Sequence, residues 1–437
     1  MLSRAGYNTK ISGKQDWTAG SHSLNVRLNA WTMYSQFPYN VNKSGGWRDE
    51  TDDCRTNGTV LKGNRSAHQG DWDTLKDTVA WIGDAAKKEE PFFVYQGMNI
   101  VHPPYATSQE WYEKILPQNV DVPFWPPLES LHPCDFASSN LKGCLASNSE
   151  QASFYSPYRR RNVRRIYYAM IAEFDAMVGK YIDAVTNAGV LNNTVFIVTS
   201  DHGDQQMEKQ QHYKMVPYDA SASVPMVIAD FRAEYKPVVV DTPTQLIDIF
   251  PTIMELARIE HVPQDLEGES LIPLLSGKGA LKRSPFVVSQ FHGDNIAMSW
   301  YLVTKKFSDQ TYKMIVYGTG VEVPLQLFDL TNDPHETINL AANEEHEHII
   351  QDLNASLLSI VPYPTISRKV AAYNKESFRW WMNVTADWKD TVHAEGLRWT
   401  PSWNVNSSAS FLALERWLTS PDDEILPCRN ALTFPSR

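Results

Sequence analysis

Residues 194–204 of this 437-residue chain read Thr-Val-Phe-Ile-Val-Thr-Ser-Asp-His-Gly-Asp, and this stretch decides the fold. Residues 194–199 are apolar or β-branched, which predicts a strand buried on both faces of a sheet. Asp201, His202 and Gly203 follow that strand almost at once. Open α/β sheets bind ligands in the crevice at the carboxyl ends of their strands. A carboxylate beside an imidazole there predicts a divalent cation that holds an anionic substrate, although a polar turn without metal is the alternative.

Helix and strand patterns alternate on both sides of this stretch. A helical pattern covers 71–88, an apolar strand follows at 92–95, and another strand pattern covers 224–228. The strongest helical stripe extends from Val163 to Val185 and stops before Gly189. This alternation predicts an α/β fold with a mostly parallel central sheet that helices cover on both sides.

The pattern changes from Ser284 onward to strands separated by polar turns. These strands are predicted at 286–290, 298–304, 312–317 and 325–330. We therefore expect two domains: a catalytic α/β domain in residues 1–283 and a C-terminal domain with a small antiparallel sheet in residues 284–437.

Composition limits the partners of the chain. The net charge of −11 argues against nucleic acid as a partner. No apolar run approaches the roughly 20 residues that cross a bilayer, so no transmembrane segment is predicted. Residues 1–10 lack the apolar region of a signal peptide. The four cysteines show no CxxC spacing, which argues against a zinc cluster. The spacing of Cys134 and Cys144 suits a short disulfide loop.

Seven Asn-x-Ser/Thr sequons indicate a protein of the secretory route. Because these sequons occur without a signal peptide, we expect that the natural N-terminus lies upstream of Met1. The candidate glycosylation sites are Asn42, Asn57, Asn64, Asn192, Asn354, Asn383 and Asn406.

An ordered series of motifs resembles the sulfatases of the alkaline-phosphatase-like superfamily. The motifs are, in chain order, Gly6-Tyr7-Asn8-Thr9, Gly13-Lys14, Pro91–Tyr95, Asn99–Pro103, Ser200–Gly203, His212–Met215, Tyr218–Ser221, Val224-Pro225, Asp248–Thr252, Leu327–Leu330, Asp333-Pro334, Glu336 and Asn339. The resemblance covers essentially the whole chain. It implies an alkaline-phosphatase-like sandwich, hydrolysis of a sulfuric ester on a sulfated carbohydrate such as 2-sulfoglucuronate in a glycosaminoglycan, one Ca²⁺ ion, and a lysosomal or secreted location.

The same resemblance implies roles for individual residues. Lys14 and Lys214 match the lysines that bind the sulfate group. His102 matches a histidine that contacts the sulfate or the ester oxygen, and a general-acid role suits its imidazole. His22 matches a further catalytic histidine, although it lies eight residues after Lys14, farther than in many sulfatases.

Asp201 and His202 match half of the calcium site of the family. The alternative for each of these six positions is an ordinary polar loop residue. His292, predicted in the C-terminal domain, is a weaker candidate to line the same pocket.

The chain also departs from the family pattern. The pair of aspartates on the first strand and the Cys-x-Pro-Ser-Arg motif, whose cysteine becomes the formylglycine nucleophile, do not occur in these 437 residues. Residues 433–437, Thr-Phe-Pro-Ser-Arg, have threonine where cysteine is required. We therefore expect a sheet without its first strand and a chain that is catalytically inactive.

Two other functions stay open. One is a phosphodiesterase or phosphatase of the same superfamily, which uses two zinc ions. The other is a non-catalytic protein that binds sulfated glycans through the retained lysines. The arginine cluster between Arg159 and Arg165 suits an acidic glycosaminoglycan, but a solvated helix start is the simpler interpretation.

Overall fold

The structure is a computed structural model that describes residues 1–14, 58–141, 156–232, 236–263, 265–276, 283–292, 298–384 and 418–425. The strands are β1 (Asn8–Gly13), β2 (Thr59–Leu61), β3 (Phe92–Gly97), β4 (Ala106–Ser108), β5 (Val195–Thr199), β6 (Gln205–Gln206), β7 (His212–Tyr213), β8 (Met226–Asp230), β9 (Phe286–Phe291), β10 (Trp300–Phe307), β11 (Gln310–Tyr317) and β12 (Gln326–Asp329). The helices are α1 (Gln69–Ala85), α2 (Gln109–Lys114), α3 (Pro133–Leu141), α4 (Pro157–Asn187), α5 (Asp219–Ala222), α6 (Ile249–Leu256), α7 (Ile272–Leu275), α8 (Glu347–Ile360) and α9 (Tyr363–Val384).

The strands of the first half pair in both directions. β1 is parallel to β3, with Asn8 opposite Phe92 and Gly13 opposite Gly97, and β2 is parallel to β4. β5 is antiparallel to β8. The α/β class is confirmed, and among the described residues these strands form separate two-stranded sheets, some parallel and some antiparallel. The five residues of β5 are half-buried, so the full burial expected for this strand is not reached; within the described residues only β8 pairs with it.

Helix α4 is the main support of this half. Ser156 caps its first turn by accepting from the amide of Arg159, and Pro157 occupies the first helical position, where no amide hydrogen is needed. The helix ends before Gly189, whose φ of +72° is a conformation that glycine adopts without strain. One face of α4, including Val163 and Met170, is fully buried against α1 and the neighbouring strands. The predicted apolar stripe is confirmed as core.

The arginines at the start of α4 hold the long segment that precedes it. Arg164 forms ion pairs with Asp121, at 2.7 Å, and with Glu208. Two further guanidinium groups donate to backbone carbonyls: Arg161 to Val120 at 3.2 Å and Arg165 to Ile115 at 2.6 Å. The interpretation of this cluster as a solvated helix start is therefore wrong, because arginine donors here satisfy carbonyl groups of an irregular segment.

The last four strands form one antiparallel sheet in the order β12-β11-β10-β9. The four predicted strands are confirmed, with ends shifted by up to three residues. Helix α8 packs on this sheet through Leu353 and Leu357, both fully buried. The sheet also contacts the first half of the chain, since the indole of Trp300 donates to the carbonyl of Met215 at 3.0 Å. The division into domains at residue 283 stays a prediction.

Cys134 is disulfide-bonded, and Cys54, Cys144 and Cys428 lie outside the described residues, so its pairing with Cys144 stays a prediction. Across the part of the chain that the structure describes, no helix combines the length and apolar character needed to span a membrane.

Candidate active site

The ends of β1 and β3 place the first two candidate residues. Lys14 directly follows β1, and its amide donates to the carbonyl of Gly97 at the end of β3, at 2.9 Å. The chain after β3 turns into the loop that carries His102. The buried carboxylate of Asp71 accepts from the amides of Asn99 and Ile100, each at 2.8 Å, and so fixes the start of this loop. Nothing in the sequence pattern of α1 indicated this role of Asp71.

A second group of candidates lies at the end of β5. The Lys214 ammonium is 2.7 Å from Nε2 of His202, and that nitrogen is 3.5 Å from Oδ2 of Asp201. Burial alone would favour the neutral acid, but the charges of His202, Lys214 and Lys14 lower the pKa of Asp201. Lys14 therefore lies within electrostatic range of the same carboxylate. The structure brings Asp201, His202 and Lys214 together, and Lys14, which follows β1, acts on the same carboxylate through its charge.

The hydrogen bonds of His202 define its protonation. Nδ1 is 2.7 Å from the carbonyl of Gly203, an acceptor, so Nδ1 carries the hydrogen. Burial, and next the nearby Lys214 ammonium, lower the pKa of His202, which favours the neutral ring. The lone pair of Nε2, beside the Asp201 carboxylate, accepts from Lys214 in this structure, and it would be the ligand atom toward a metal once the ammonium turns away.

His102 has the same pattern of hydrogen bonds. Its Nδ1 is 2.8 Å from the carbonyl of Pro103 and therefore donates, and its Nε2 accepts from the hydroxyl of Tyr213 at 2.7 Å. The ring of His68 contacts the backbone carbonyl of His102 at 2.5 Å and steadies the loop. Tyr213 joins His102 to Lys214, its neighbour in sequence. Tyr213 and His68 had no predicted role, because no sequence spacing relates them to His102.

The segment that carries Lys214 has an unusual backbone. Met207, Lys209, Gln210, Tyr213 and Met215 all have a positive φ. Such conformations cost about 1–3 kcal/mol each for residues other than glycine and persist only where the surroundings impose them. Contacts with the C-terminal sheet supply part of that restraint: Lys209 binds the carbonyl of Glu336, and Trp300 binds that of Met215.

The remaining predicted residues are distributed as follows. His22, Asn42, Asn57 and Asn406 lie outside the described residues. Asn64, Asn192 and Asn383 are exposed, whereas Asn354 is half-buried in α8 and accepts from the hydroxyl of Tyr363 at 3.1 Å. His292 contacts Gln290 and Tyr301 of the C-terminal sheet, and burial lowers the pKa of His292. Its place in the pocket stays a prediction.

A family model described as "Sulfatase" matches residues 1–259, and one described as "N-sulphoglucosamine sulphohydrolase, C-terminal" matches residues 208–361. The chain therefore belongs to the sulfatase family of sulfuric ester hydrolases. It is 35% identical to arylsulfatase K of Xenopus laevis over 445 aligned residues, which cover 96% of this chain and 78% of that protein.

Two solved structures of low sequence identity share the fold. One is a phosphonate monoester hydrolase of Agrobacterium radiobacter, with a TM-score of 0.56 and 23% identity over 73% of this chain and 64% of that one. The other is a protein in complex with its substrate D-glucosamine-2-N,6-O-disulfate, with a TM-score of 0.55 and 16% identity over 82% of this chain and 80% of that one.

Proposed function

We propose that the cluster of Lys14, Asp201, His202 and Lys214 binds the sulfate group of a sulfated glycan. The observation that supports this most directly is the Lys214 ammonium at 2.7 Å from His202, in a cluster where Lys14 also acts on the Asp201 carboxylate. Two ammonium groups beside an exposed carboxylate and a half-buried imidazole leave positive charge available for an anion. Preorganised charge of this kind is usually the largest contribution to catalysis of group transfer.

Asp201 and His202 would hold the divalent cation. Their donor atoms suit it: a carboxylate with a side chain that is 75% exposed, and an imidazole nitrogen with its lone pair on the same side. Two ligands are half of a site, and among the described residues there is no group of three or more metal-binding side chains. Bound there, Ca²⁺ would stabilise the negative charge on a sulfate oxygen. Lys214, which now donates to His202 Nε2, would turn its ammonium to the sulfate.

His102 would serve as the general acid for the leaving oxygen after Nε2, which accepts from Tyr213 in this structure, takes up a proton. Lys14 and Lys214 would hold the sulfate oxygens, and His22 would assist them. The substrate we propose is a glycosaminoglycan that carries 2-sulfoglucuronate, in the lysosome or outside the cell. The relation to proteins named arylsulfatase K supports a sulfate ester, and the disulfated sugar in a structural relative supports a sulfated carbohydrate.

Hydrolysis needs a nucleophile as well as this binding site. The formylglycine precursor, a cysteine in Cys-x-Pro-Ser-Arg, does not occur in the 437 residues. We expect the polypeptide of these residues to bind sulfated substrate without turnover, because removing one member of a catalytic unit removes nearly all of its effect.

Two assays on the purified 437-residue chain test this function. The first measures release of sulfate from a sulfated uronate disaccharide and of phosphate from a phosphodiester, with Ca²⁺ or with Zn²⁺. The second measures binding of the sulfated disaccharide and of its unsulfated form by calorimetry. Binding that requires the sulfate, without turnover, is the expected result. Zinc-dependent hydrolysis of the phosphodiester would favour the phosphodiesterase instead, and equal affinity for both disaccharides would contradict a sulfate site.

A further inference from the structure

Tyr213 is a buried tyrosine in a strained position between two of the candidate sulfate-binding residues. Its side chain is 2% exposed, and its φ of +70° lies in the left-handed region that a bulky residue seldom adopts. The residue ends β7 and immediately precedes Lys214. Strain of this kind persists only where the surrounding contacts require that conformation.

The side chain of Tyr213 contacts both neighbours with different parts of its ring. Its hydroxyl donates to Nε2 of His102 at 2.7 Å, and the two rings meet edge to face, with centroids 5.4 Å apart and planes at 89°. The Lys214 ammonium lies 4.8 Å from the centroid of the Tyr213 ring, within the range of a cation–π contact. One aromatic side chain thus contacts a histidine that is 111 residues away in the sequence and the lysine that follows it.

Two hydrogen bonds act on the orientation of the His102 ring. The Pro103 carbonyl fixes the hydrogen on Nδ1, and the lone pair of Nε2 accepts from the Tyr213 hydroxyl. Without the hydroxyl, the ring loses the hydrogen bond to Nε2, which is one of the contacts that orient it. In active sites, supporting hydrogen bonds orient the reacting groups to within a fraction of an ångström.

We infer that Tyr213 is a positioning residue that orients His102 through its hydroxyl and Lys214 through its ring, so that both face the same sulfate ester. The role in sulfate binding rests on the function proposed above. The orientation of His102 does not, and it is measurable in the protein alone.

The first test measures the reactivity of His102 toward diethyl pyrocarbonate, which acylates the lone pair of a neutral imidazole. In Tyr213→Phe, Nε2 loses its donor, and we expect acylation of His102, followed by peptide mass spectrometry, to become about fivefold faster, the factor set by one hydrogen bond. Tyr112→Phe is the matched control, since it removes a tyrosine hydroxyl that donates to Asn162. His132 and His292 in the same digests report any general loosening of the fold.

An unchanged rate at His102 in Tyr213→Phe would overturn the inference. So would equal acceleration at His132 and His292, because the effect would then be a loss of structure.

The second test measures binding of the sulfated disaccharide and separates the two contacts. Tyr213→Phe keeps the ring beside Lys214, whereas Tyr213→Leu removes it, so we expect the leucine variant to bind more weakly than the phenylalanine variant. Wild-type affinity in Tyr213→Leu would overturn the role toward Lys214. If the unmodified chain does not bind the disaccharide, the proposed function fails, and the acylation rates still decide whether Tyr213 orients His102.

Discussion

Lys214 donates from its ammonium to Nε2 of His202 at 2.7 Å, and this bond joins a candidate sulfate ligand to a candidate metal ligand. His202 precedes β6 and Lys214 follows β7, so the antiparallel pairing of these two strands brings both residues to the same end of the pair. The bond holds the positive charge of Lys214 close enough to the Asp201 carboxylate to lower the pKa of Asp201. An ammonium in that position lowers the pKa of the adjacent carboxyl and keeps the imidazole neutral, which prepares both side chains for a cation.

A buried ion cluster connects the C-terminal sheet to the segment that carries Lys214. Lys313, fully buried, lies 2.7 Å from Asp219 and 2.8 Å from Glu336. Burial opposes its charge, but the two carboxylates raise the pKa of Lys313. We expect Lys313→Met to lower the free energy of unfolding by about 3–5 kcal/mol, because it removes the ion pair of the buried Glu336 carboxylate and leaves it the amide of Asp219 as a donor.

Urea denaturation at pH 7 measures this effect, with Lys306→Met as the control. Lys306 pairs with Asp241, whose side chain is 77% exposed, and we expect its loss to cost at most about 1 kcal/mol. Equal effects of the two substitutions would contradict the account of the buried cluster.

The core face of α4 provides a matched pair of neighbours. Met170 is fully buried and Ile171 is 41% exposed. Met170→Ala should destabilise the protein by about 2–5 kcal/mol, since it removes buried apolar atoms and leaves a cavity. Ile171→Ala should cost less than about 1 kcal/mol. Thermal or urea unfolding of both variants decides this, and a larger effect at Ile171 would mean that the helix faces the other way.

The raised pKa of Tyr301 leads us to expect a loss of folding stability at alkaline pH. Burial raises the pKa of Tyr301 to about 12, and its hydroxyl lies 2.7 Å from that of Ser367. An unfolded tyrosine ionises near pH 10. Between these values the unfolded chain has lost a proton that the folded protein retains, so stability falls as the pH rises.

We expect Tyr301→Phe to be less stable than the wild type by about 1 kcal/mol at pH 7, where a hydrogen bond is lost. The difference should shrink as the pH rises above 10, because the variant lacks this ionisation. Urea unfolding at about pH 7, 9, 10 and 11 follows the difference directly, since the last three values cover the range in which an unfolded tyrosine ionises. A constant gap across the series would show that Tyr301 does not titrate with unfolding.

Periodicity and turn chemistry predicted the local elements well. The α4 stripe, the strand after Thr194 and the four strands of the C-terminal sheet have strong apolar patterns, and the structure contains all of them. Short elements such as β2, β4, β6 and β7 have too few residues for a pattern to emerge. Helices α8 and α9 were not predicted, although their sequences have helical spacing.

The site was predictable only where a motif carried it. Lys14, Asp201, His202 and Lys214 meet as the ordered motifs imply, although their roles stay predictions. Tyr213, His68 and Asp71 act through contacts that span 28 to 111 residues, and no local pattern encodes such contacts. The arginines of α4 were misread because five cationic residues in a helix start normally face solvent, whereas here an irregular segment supplies the acceptors.

The most direct test of the sulfate site is calorimetric titration of the 437-residue chain with a disaccharide that carries 2-sulfoglucuronate, in the presence of Ca²⁺. The wild type is compared with Lys214→Ala, Lys14→Ala and Lys10→Ala. Lys10 lies on the same strand as Lys14 but pairs with Asp77 at 2.6 Å, so it controls for the loss of one positive charge. We predict that Lys10→Ala binds as the wild type does, and that each of the other two binds at least about tenfold more weakly, as expected for a charged hydrogen bond. Equal affinities of all four proteins would contradict a sulfate site at Lys14 and Lys214.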